Sequence, residues 1–390
     1  MSEVKLKDIT ISITDGKHGD CKGQDNSGYY FVSCKDVFDG LIHYDNARQI
    51  TEDDFLDSDK RTKLSPNDIL VTNSGTIGRM ALVKDVPETR RTTFQKSVAI
   101  VKPNTDKVLP IYLYYLLQSK VYDFVNSSNG AAQKNLLLST MREFDLEIED
   151  DVNIQHRIAT ILSRYDSLIE NYQKQIKLLE EAAQRLYKEW FVDLHFPGYE
   201  TTKIIDGVPD GWEYRRIGDI VVYYDKQRKP LSSMQRMSME KIYPYYGAAA
   251  LMDYVDNYLF DGIYLLLGED GTVITPDKFP VLQYVWGKFW VNNHAHVLRG
   301  KEGISTEFLF SMFKEMPIAD VVTGAAQPKI SQGRLSDKKI LMPSLGLIQE
   351  WSGMAKHNFG RIRVITEQIR LLTEARDRLL PKLMSGEIEV

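Results

Sequence analysis

The stretch Asn129-Gly130-Ala131-Ala132-Gln133 returns as Thr323-Gly324-Ala325-Ala326-Gln327, 194 residues further along the chain. Ile154-Gln155 returns as Ile348-Gln349 at the same offset. A repeat of about half the 390-residue chain is far longer than the roughly 20 to 50 residues of a solenoid repeat. The pattern therefore predicts a tandem duplication of a whole domain with its appendage, the two copies being related by an approximate two-fold axis.

Composition limits the class of protein. The chain is 43% hydrophobic and 26% charged, which is typical of a globular protein of two or three domains. No apolar run approaches the roughly 20 residues of a membrane helix, and the first residues lack the apolar core of a secretion signal. Two cysteines, Cys21 and Cys34, are too few for a disulfide framework and have no zinc-finger spacing. We therefore expect a cytoplasmic protein.

Each copy ends in the pattern of a long helix. Apolar residues recur every three or four positions at Ile154, Ile158, Ile161, Tyr165, Leu168, Tyr172, Ile176, Leu179, Ala183, Leu186 and Trp190. The second copy places Ile348, Ala355, Phe359, Ile362, Ile369, Leu372, Leu379 and Leu383 on the equivalent stripe, together with the polar Ser352, Thr366 and Arg376. A narrow, heptad-like stripe needs a partner helix, so we predict an antiparallel pair, 154–192 against 347–384, roughly 55 Å long. The alternative is that each helix packs on its own domain.

The region ahead of each helix is rich in short β patterns. Asp68-Ile69-Leu70-Val71-Thr72 and Ser97-Val98-Ala99-Ile100-Val101 are typical strands, and Tyr112 to Val121 is typical of a short helix. The predicted fold is α+β: two repeated mixed α/β domains separated by an antiparallel coiled-coil pair, with pseudo-two-fold symmetry. The predicted bounds are 1–150 for the first domain, 151–195 for its long helix, 196–345 for a linker and the second domain, and 346–390 for the second long helix.

Sequence motifs for catalysis are absent. The chain has no G-x-x-x-x-G-K-[ST] phosphate loop, no G-x-G-x-x-G after a strand, no Asn/Asp-Pro-Pro-aromatic tetrad of amino-methyltransferases and no H-E-x-x-H metal motif. We therefore predict no catalytic residue, no metal site and no bound cofactor in this chain.

Basic residues cluster at corresponding places in the two copies, although the net charge is −5. Lys and Arg contact phosphates, while Arg, Asn and Gln read base edges. The predicted DNA-binding residues are Arg79, Arg90, Arg91, Lys96, Gln133 and Lys134 in the first copy and Lys226, Arg228, Lys229, Arg236, Gln327 and Lys329 in the second. The alternative for each cluster is a solvated face, and for each Gly-Ala-Ala-Gln loop a tight turn.

Several motifs, in an order that occurs twice, resemble the specificity subunits of type I restriction–modification systems over essentially the whole chain. They are Ile13 to His18, Asn67-Asp68-Ile69-Leu70, Ser74-Gly75-Thr76-Ile77-Gly78, Pro209-Asp210-Gly211-Trp212-Glu213, Gly287 to His296, the two Gly-Ala-Ala-Gln loops and the helices opening at Ile154-Gln155 and Ile348-Gln349. One departure stands out: Ile274 replaces the Gly78 of the first copy, so the two loops are not expected to make identical contacts.

The resemblance implies two target-recognition domains, each reading one half of a split site in double-stranded DNA. It also implies that the helices act as a spacer and dock two methyltransferase subunits, and restriction subunits where these are present. The spacer and partner-binding residues would be Ile154, Ile158, Tyr165, Tyr172, Leu179, Leu186, Ile362, Ile369, Leu372 and Leu379. S-adenosylmethionine, ATP and Mg²⁺ would bind the partner subunits, and this chain would take part in DNA modification without being an enzyme itself.

Two other functions remain open at this stage. One is a coiled-coil interaction scaffold that never touches DNA. The other is a self-contained methyltransferase or nuclease, which the missing motifs disfavour.

Overall fold

The computed structural model describes residues 1–128, 134–324 and 327–390. The chain divides into two compact units. The first unit is Met1–Glu170 with Arg370–Val390, and the second unit is Asn171–Ile369. No helix of the described residues is long and apolar enough to cross a membrane.

The strands of both units are short. In the first unit they are β1 Ser2–Lys5, β2 Thr10–Asp15, β3 Tyr30–Val32, β4 Val37–Phe38, β5 Leu41–Ile42, β6 Arg48–Gln49, β7 Ile69–Thr72, β8 Met80–Leu82, β9 Thr92–Phe94, β10 Val98–Pro103 and β11 Asp145–Ile148. In the second unit they are β12 Ile204–Ile205, β13 Val208–Pro209, β14 Glu213–Arg216, β15 Val221–Tyr223, β16 Tyr243–Tyr246, β17 Leu251–Val255, β18 Phe260–Asp261, β19 Tyr264–Gly268, β20 Leu282–Val285, β21 Lys288–Val291, β22 Ala295–Gly300, β23 Val322–Thr323, β24 Lys329–Ile330 and β25 Lys339–Met342.

Two helices are much longer than the others. The helices are α1 Glu52–Thr62, α2 Pro110–Ser119, α3 Val121–Asn126, α4 Leu138–Arg142, α5 Val152–Phe191, α6 Ile217–Ile220, α7 Ser233–Met237, α8 Thr306–Lys314, α9 Gln332–Asp337 and α10 Leu345–Met384. Helices α5 and α10 have 40 residues each, in agreement with the periodic stripes of the sequence.

The two units repeat one sheet topology. The first unit has a four-stranded sheet in the order β2-β10-β7-β8, and the second has β15-β22-β19-β20. Each unit adds an antiparallel pair of distant strands, β1 with β11 and β14 with β25, and a parallel pair, β3 with β9 and β16 with β21. The shared order confirms the α+β fold and the duplication predicted from the repeated motifs.

The long helices pair antiparallel inside each unit. In the first unit Asp166 of α5 lies 2.6 Å from Arg376 of α10, and Leu162 shares a core with Leu383. In the second unit the rings of Tyr187 and Trp351 are 5.8 Å apart. Residues of increasing number on α5 contact residues of decreasing number on α10. The two helices therefore run antiparallel, as predicted. Each helix also contributes residues to the domain cores of both units, so helix pairing and packing on a domain, which were treated as alternatives, coexist.

The buried stripe of α5 is shifted from the predicted one. Leu162, Ile169 and Tyr187 are buried although they were not on the predicted stripe, whereas Leu168, which was on it, is 39% exposed. The reason is that α5 faces a domain core as well as α10, which widens its buried face beyond a two-helix seam.

Candidate nucleic-acid interface

In the first unit the loops that follow β2, β7 and β9 meet at one end of the sheet. Ser74 forms an isolated bridge with Asn135, and the amide of Leu136 donates to the carbonyl oxygen of Asn73 at 2.8 Å. Lys17 forms a bridge with Gln95. The Ser-Gly-Thr loop at 74–76 is therefore joined directly to the segment that follows the Gly-Ala-Ala-Gln loop.

The second unit joins the same loops in the same way. Asp270 forms a bridge with Lys329, and the amide of Gly271 donates to the carbonyl oxygen of Pro328 at 3.1 Å. The amide of Ile330 donates to the carbonyl oxygen of Glu269 at 2.8 Å. The two repeated motifs of each copy, separated by about 50 residues in the sequence, thus form one surface in each unit.

An aspartate lies at the end of the first strand of one sheet and two residues beyond it in the other, and each contacts basic side chains. The strand registers make Asp15 and Asp225 equivalent, since Ile13 faces Val101 and Tyr223 faces Leu298. Asp15 accepts hydrogen bonds from Arg61 and lies 2.8 Å from Nε2 of His18. These buried carboxylates anchor the loops instead of facing solvent.

Asp225 belongs to a buried charge cluster with Arg228, Glu269 and His296. The Arg228 guanidinium donates to Glu269 at 2.6 Å and lies 3.6 Å from the Asp225 carboxylate. His296 lies 2.6 Å from Asp225 through Nδ1, and its Nε2 lies 2.8 Å from the carbonyl oxygen of Ile330. The cluster therefore ties β22 to the loop that carries Lys329.

The same three side chains, Asp225, Glu269 and His296, have the spacing of a metal site among the described residues. Arg228 already donates to Glu269 and approaches Asp225. Because the guanidinium already pairs with these carboxylates, the arrangement fits an internal ion-pair cluster.

Two half-buried tyrosines, Tyr223 and Tyr246, lie in the second unit. Burial raises the pKa of Tyr223 to about 12, although a hydrogen bond with Ser336 acts in the opposite direction. Burial also raises the pKa of Tyr246 to about 12. Both side chains are therefore neutral phenols at physiological pH and add no negative charge to a surface that would meet phosphates.

Several predicted DNA-binding residues are exposed at or beside the loop end of each unit. Arg79 follows the 74–78 loop and Lys96 lies between β9 and β10. The exposed set is Arg79, Lys96 and Lys134 in the first unit and Lys226, Lys229, Gln327 and Lys329 in the second. Lys329 lies 3.5 Å from Glu269, so it is partly neutralised.

Four other predicted DNA-binding residues have partners within the protein, although two of them, Arg90 and Arg91, are exposed. The Arg228 side chain is only 12% exposed, and that of Arg236 is 13% exposed and hydrogen-bonded to Asp253. Arg90 pairs with Asp85 at 2.9 Å, and the guanidinium of Arg91 lies 5.7 Å from the ring centre of Tyr29. Arg228 and Arg236 are therefore weaker candidates for phosphate contacts than the exposed residues, whereas the exposed ion pair of Arg90 with Asp85 costs little to break. Gln133, which was also predicted to contact DNA, lies outside the described residues.

The predicted partner-binding residues of the helices divide in two. Ile158 and Ile362 are buried in the cores of their units and cannot reach a partner protein. The half-buried remainder are Ile154, Tyr165, Tyr172, Leu179, Leu186, Ile369, Leu372 and Leu379. The most exposed apolar residues of the helices, which periodicity did not select, include Leu178 at 64%, Met354 at 54%, Val364 at 51% and Leu371 at 50%.

Sequence reasoning missed Asp225, Glu269 and His296 as a group. Their positions in the chain are up to 71 residues apart, and only the strand register brings them together. A signal did exist for one of them: His296 closes the quoted stretch from Gly287 to His296, but its role as a tie between β22 and Ile330 was not predicted.

Comparison with known proteins identifies the repeated domain. A family model described as the type I restriction modification DNA specificity domain matches residues 2–181 and 209–370. The MjaIX specificity subunit of a type I restriction enzyme from Methanocaldococcus jannaschii is 26% identical over 83% of this chain and 78% of its own length. The EcoprrI specificity subunit from Escherichia coli is 24% identical over 73% of this chain and 70% of its own.

A solved structure has the same fold. The crystal structure of the S subunit of a type I restriction–modification system from M. genitalium superposes with a TM-score of 0.54, at 16% sequence identity, and covers 98% of this chain and 95% of that chain. At 16% identity this likeness supports the fold and assigns no role to individual residues.

Proposed function

Because the chain belongs to the family of type I restriction–modification DNA specificity proteins, we propose that its two units each read one half of a bipartite site in double-stranded DNA. The single observation that carries this proposal is the repeated loop end. In both units the loop after β7 or β19 is joined to the segment that follows the Gly-Ala-Ala-Gln motif. Two equivalent surfaces with different side chains are what a reader of two different half-sites requires.

The exposed basic residues supply the attraction to phosphates. Arg79, Lys96 and Lys134 in the first unit and Lys226 and Lys229 in the second are exposed at or beside these loops. Each phosphate contact releases counterions, so binding should weaken steeply with salt. The overall charge of −5 does not prevent binding, because DNA meets the local surface and partner subunits add their own cations.

The long helices are proposed to dock two methyltransferase subunits, with restriction subunits joining where the system has them. Apolar side chains on α5 and α10, among them Leu178 and Val364, are exposed and could pack against a partner protein. The chain itself is proposed to be non-catalytic. S-adenosylmethionine would then bind the methyltransferase, and ATP and Mg²⁺ the restriction subunit.

The test is to reconstitute the chain with its methyltransferase and S-adenosylmethionine and to map methylated adenines in genomic DNA by sequencing. We expect one bipartite motif with a fixed gap of roughly one helical turn. The methyltransferase without this chain should leave that motif unmodified. Methylation without a bipartite motif, or turnover by this chain alone, would contradict the proposal. An interaction scaffold that does not touch DNA would leave the extent of methylation unchanged when the exposed lysines are replaced.

A further inference from the structure

The hairpin between β16 and β17 presents an apolar tip in the second unit. Four consecutive residues, Ala249, Ala250, Leu251 and Met252, are exposed, with Leu251 at 43% and Met252 at 55%. The amide of Gly247 donates to the carbonyl oxygen of Ala250 at 2.9 Å, which makes the turn tight. These exposed side chains are consecutive in the chain, and a contiguous exposed apolar patch is typical of a binding site.

The tip is fixed to the loops of the candidate interface. The side-chain amide of Asn292, in the loop between β21 and β22, lies 3.4 Å from the sulfur of Met252. The backbone amide of Asn292 donates to the carbonyl oxygen of Tyr246 at 3.1 Å, and Nε2 of Gln283 donates to the carbonyl oxygen of Gly247 at 2.9 Å. The apolar tip is therefore held beside the loops that bear the exposed lysines.

Charge indicates what covers the tip. Lys229 is exposed, and its amide approaches the carbonyl oxygen of Val291, the residue before Asn292, at 3.4 Å. Lys226 is exposed three residues earlier in the chain. An apolar tip held by a loop that adjoins the exposed Lys229 matches DNA, which offers phosphates at the rim of the major groove and thymine methyl groups on its floor. The major groove also admits a two-stranded β-ribbon.

The first unit carries a polar turn at the equivalent position. The backbone amide of Gln95 donates to the carbonyl oxygen of Val32 at 2.9 Å. This bond is equivalent to the one from the backbone amide of Asn292 to the carbonyl oxygen of Tyr246 in the second unit. Val32 is followed by Ser33-Cys34-Lys35-Asp36, in which the Asp36 carboxylate accepts from the amide of Ser33 at 2.8 Å. The two units thus place opposite chemistry, polar in one and apolar in the other, on the same part of the scaffold.

From these observations we infer that Leu251 and Met252 read thymine methyl groups in the half-site of the second unit, and that the first unit has no equivalent apolar contact. This inference rests on the proposed function and adds to it the chemical basis of one half of the specificity. The second half-site must then contain an A·T pair whose thymine methyl faces the tip.

The experiment uses the complete complex with its methyltransferase. DNA duplexes carrying the mapped site are made with deoxyuridine in place of thymine in one half or the other, which removes only the methyl group. Loss of one buried methyl contact should weaken binding about fourfold. The loss should occur in the half-site read by the second unit and be absent from the other.

Two variants assign the effect to the tip. A complex with Leu251→Ser and Met252→Ser should bind thymine and deoxyuridine duplexes equally. The control replaces two other exposed methionines, Met234→Ser and Met237→Ser, which are each 82% exposed on α7, and it should retain the difference. Double-variant complexes that retain the full thymine preference would overturn the inference, as would duplexes insensitive to deoxyuridine in both halves or a second half-site of G·C pairs alone.

Two further outcomes separate this inference from its premise. If the tip variant loses methyltransferase while its sequence preference is unchanged, the tip faces a protein and the inference is wrong. If the unmodified complex shows no bipartite site at all, the proposed function itself fails, and the inference fails with it.

Discussion

At the scale of single residues, exposure separates basic side chains that the sequence treats alike. Lys226 and Arg228 are two positions apart, yet Lys226 is exposed while Arg228 is 12% exposed within a cluster of two carboxylates and a histidine. A guanidinium can donate to several acceptors at once, and here it donates to Glu269 and to the carbonyl oxygen of Ala295, both at 2.6 Å. The neighbouring positions should therefore have different functions.

Replacing these two residues should give opposite results. Lys226→Met should leave the unfolding midpoint unchanged, weaken DNA binding at all sequences and lower the slope of log K against log salt by about 1. Arg228→Met should destabilise the chain by about 3 kcal/mol, because it leaves buried carboxylates without their cation. Denaturant unfolding and salt-dependent binding measure the two effects. A stable Arg228→Met protein with a reduced salt slope would show that Arg228 contacts phosphate after all.

At the scale of elements, the polar residues on the α10 stripe have partners. Ser352 hydrogen-bonds with Ser305 at 2.9 Å, and Thr366 donates to the carbonyl oxygen of Ile362 at 2.9 Å. Arg376 pairs with Asp166, which also accepts from the hydroxyl of Tyr115. Burial and the carboxylate raise the pKa of Tyr115, so the phenol stays protonated and keeps this hydrogen bond. The three polar residues that interrupt the apolar stripe of α10 therefore all have hydrogen-bond or ion-pair partners.

The Asp166–Arg376 pair should matter for stability as a unit. The side chains are 30% and 22% exposed, so solvent screens them only partly. Arg376→Met should destabilise the chain by about 2 kcal/mol, since it leaves Asp166 unpaired in a half-buried position. Adding Asp166→Asn should recover a large part of that loss. Denaturation of the single and double variants measures the coupling, and strictly additive losses would show that the pair contributes nothing.

Exposed leucine on α5 gives a test of the docking surface. Leu178→Gln should lower the amount of methyltransferase that copurifies with the chain by about tenfold, because a leucine buried at an interface contributes roughly 1.5 to 3 kcal/mol. Lys177→Gln, at the adjacent exposed position, is the matched control and should copurify normally. Equal recovery with both variants would place the docking surface elsewhere.

At the scale of the whole molecule, duplication makes each unit a self-contained reader. Each has its own four-stranded sheet and its own core. The helices α5 and α10 each contribute residues to both units, so the units are joined by helix and not by a loose linker alone. Modular recognition is the expected consequence of such an arrangement.

Exchanging residues 1–150 for those of another family member should change one half of the methylated motif and leave the other half and the gap unchanged. The reason is that the exchanged residues carry one loop end and neither long helix. Methylation sequencing of the chimeric complex gives the answer. A motif altered in both halves would mean that the units do not read independently.

The duplication, the two long helices, their antiparallel pairing and the strand-rich class of each domain all follow from patterns in the amino-acid sequence. These features are local or repeated: the strand predicted at 68–72 is observed at Ile69–Thr72, and the helix predicted from 154 begins at Val152. Such patterns are visible because periodicity and motif spacing need no knowledge of distant contacts.

Which basic residues are exposed, and which side chains meet, depends instead on how distant segments pack together. Arg228 is largely shielded from solvent because the fold brings Glu269 and the backbone of Ala295 to it. The apolar tip at Leu251 becomes a candidate DNA contact because the neighbouring Met252 lies against Asn292 of the loop between β21 and β22. These outcomes depend on strand register between segments tens of residues apart. A one-dimensional pattern does not contain that register, because it is fixed by the packing of the whole domain.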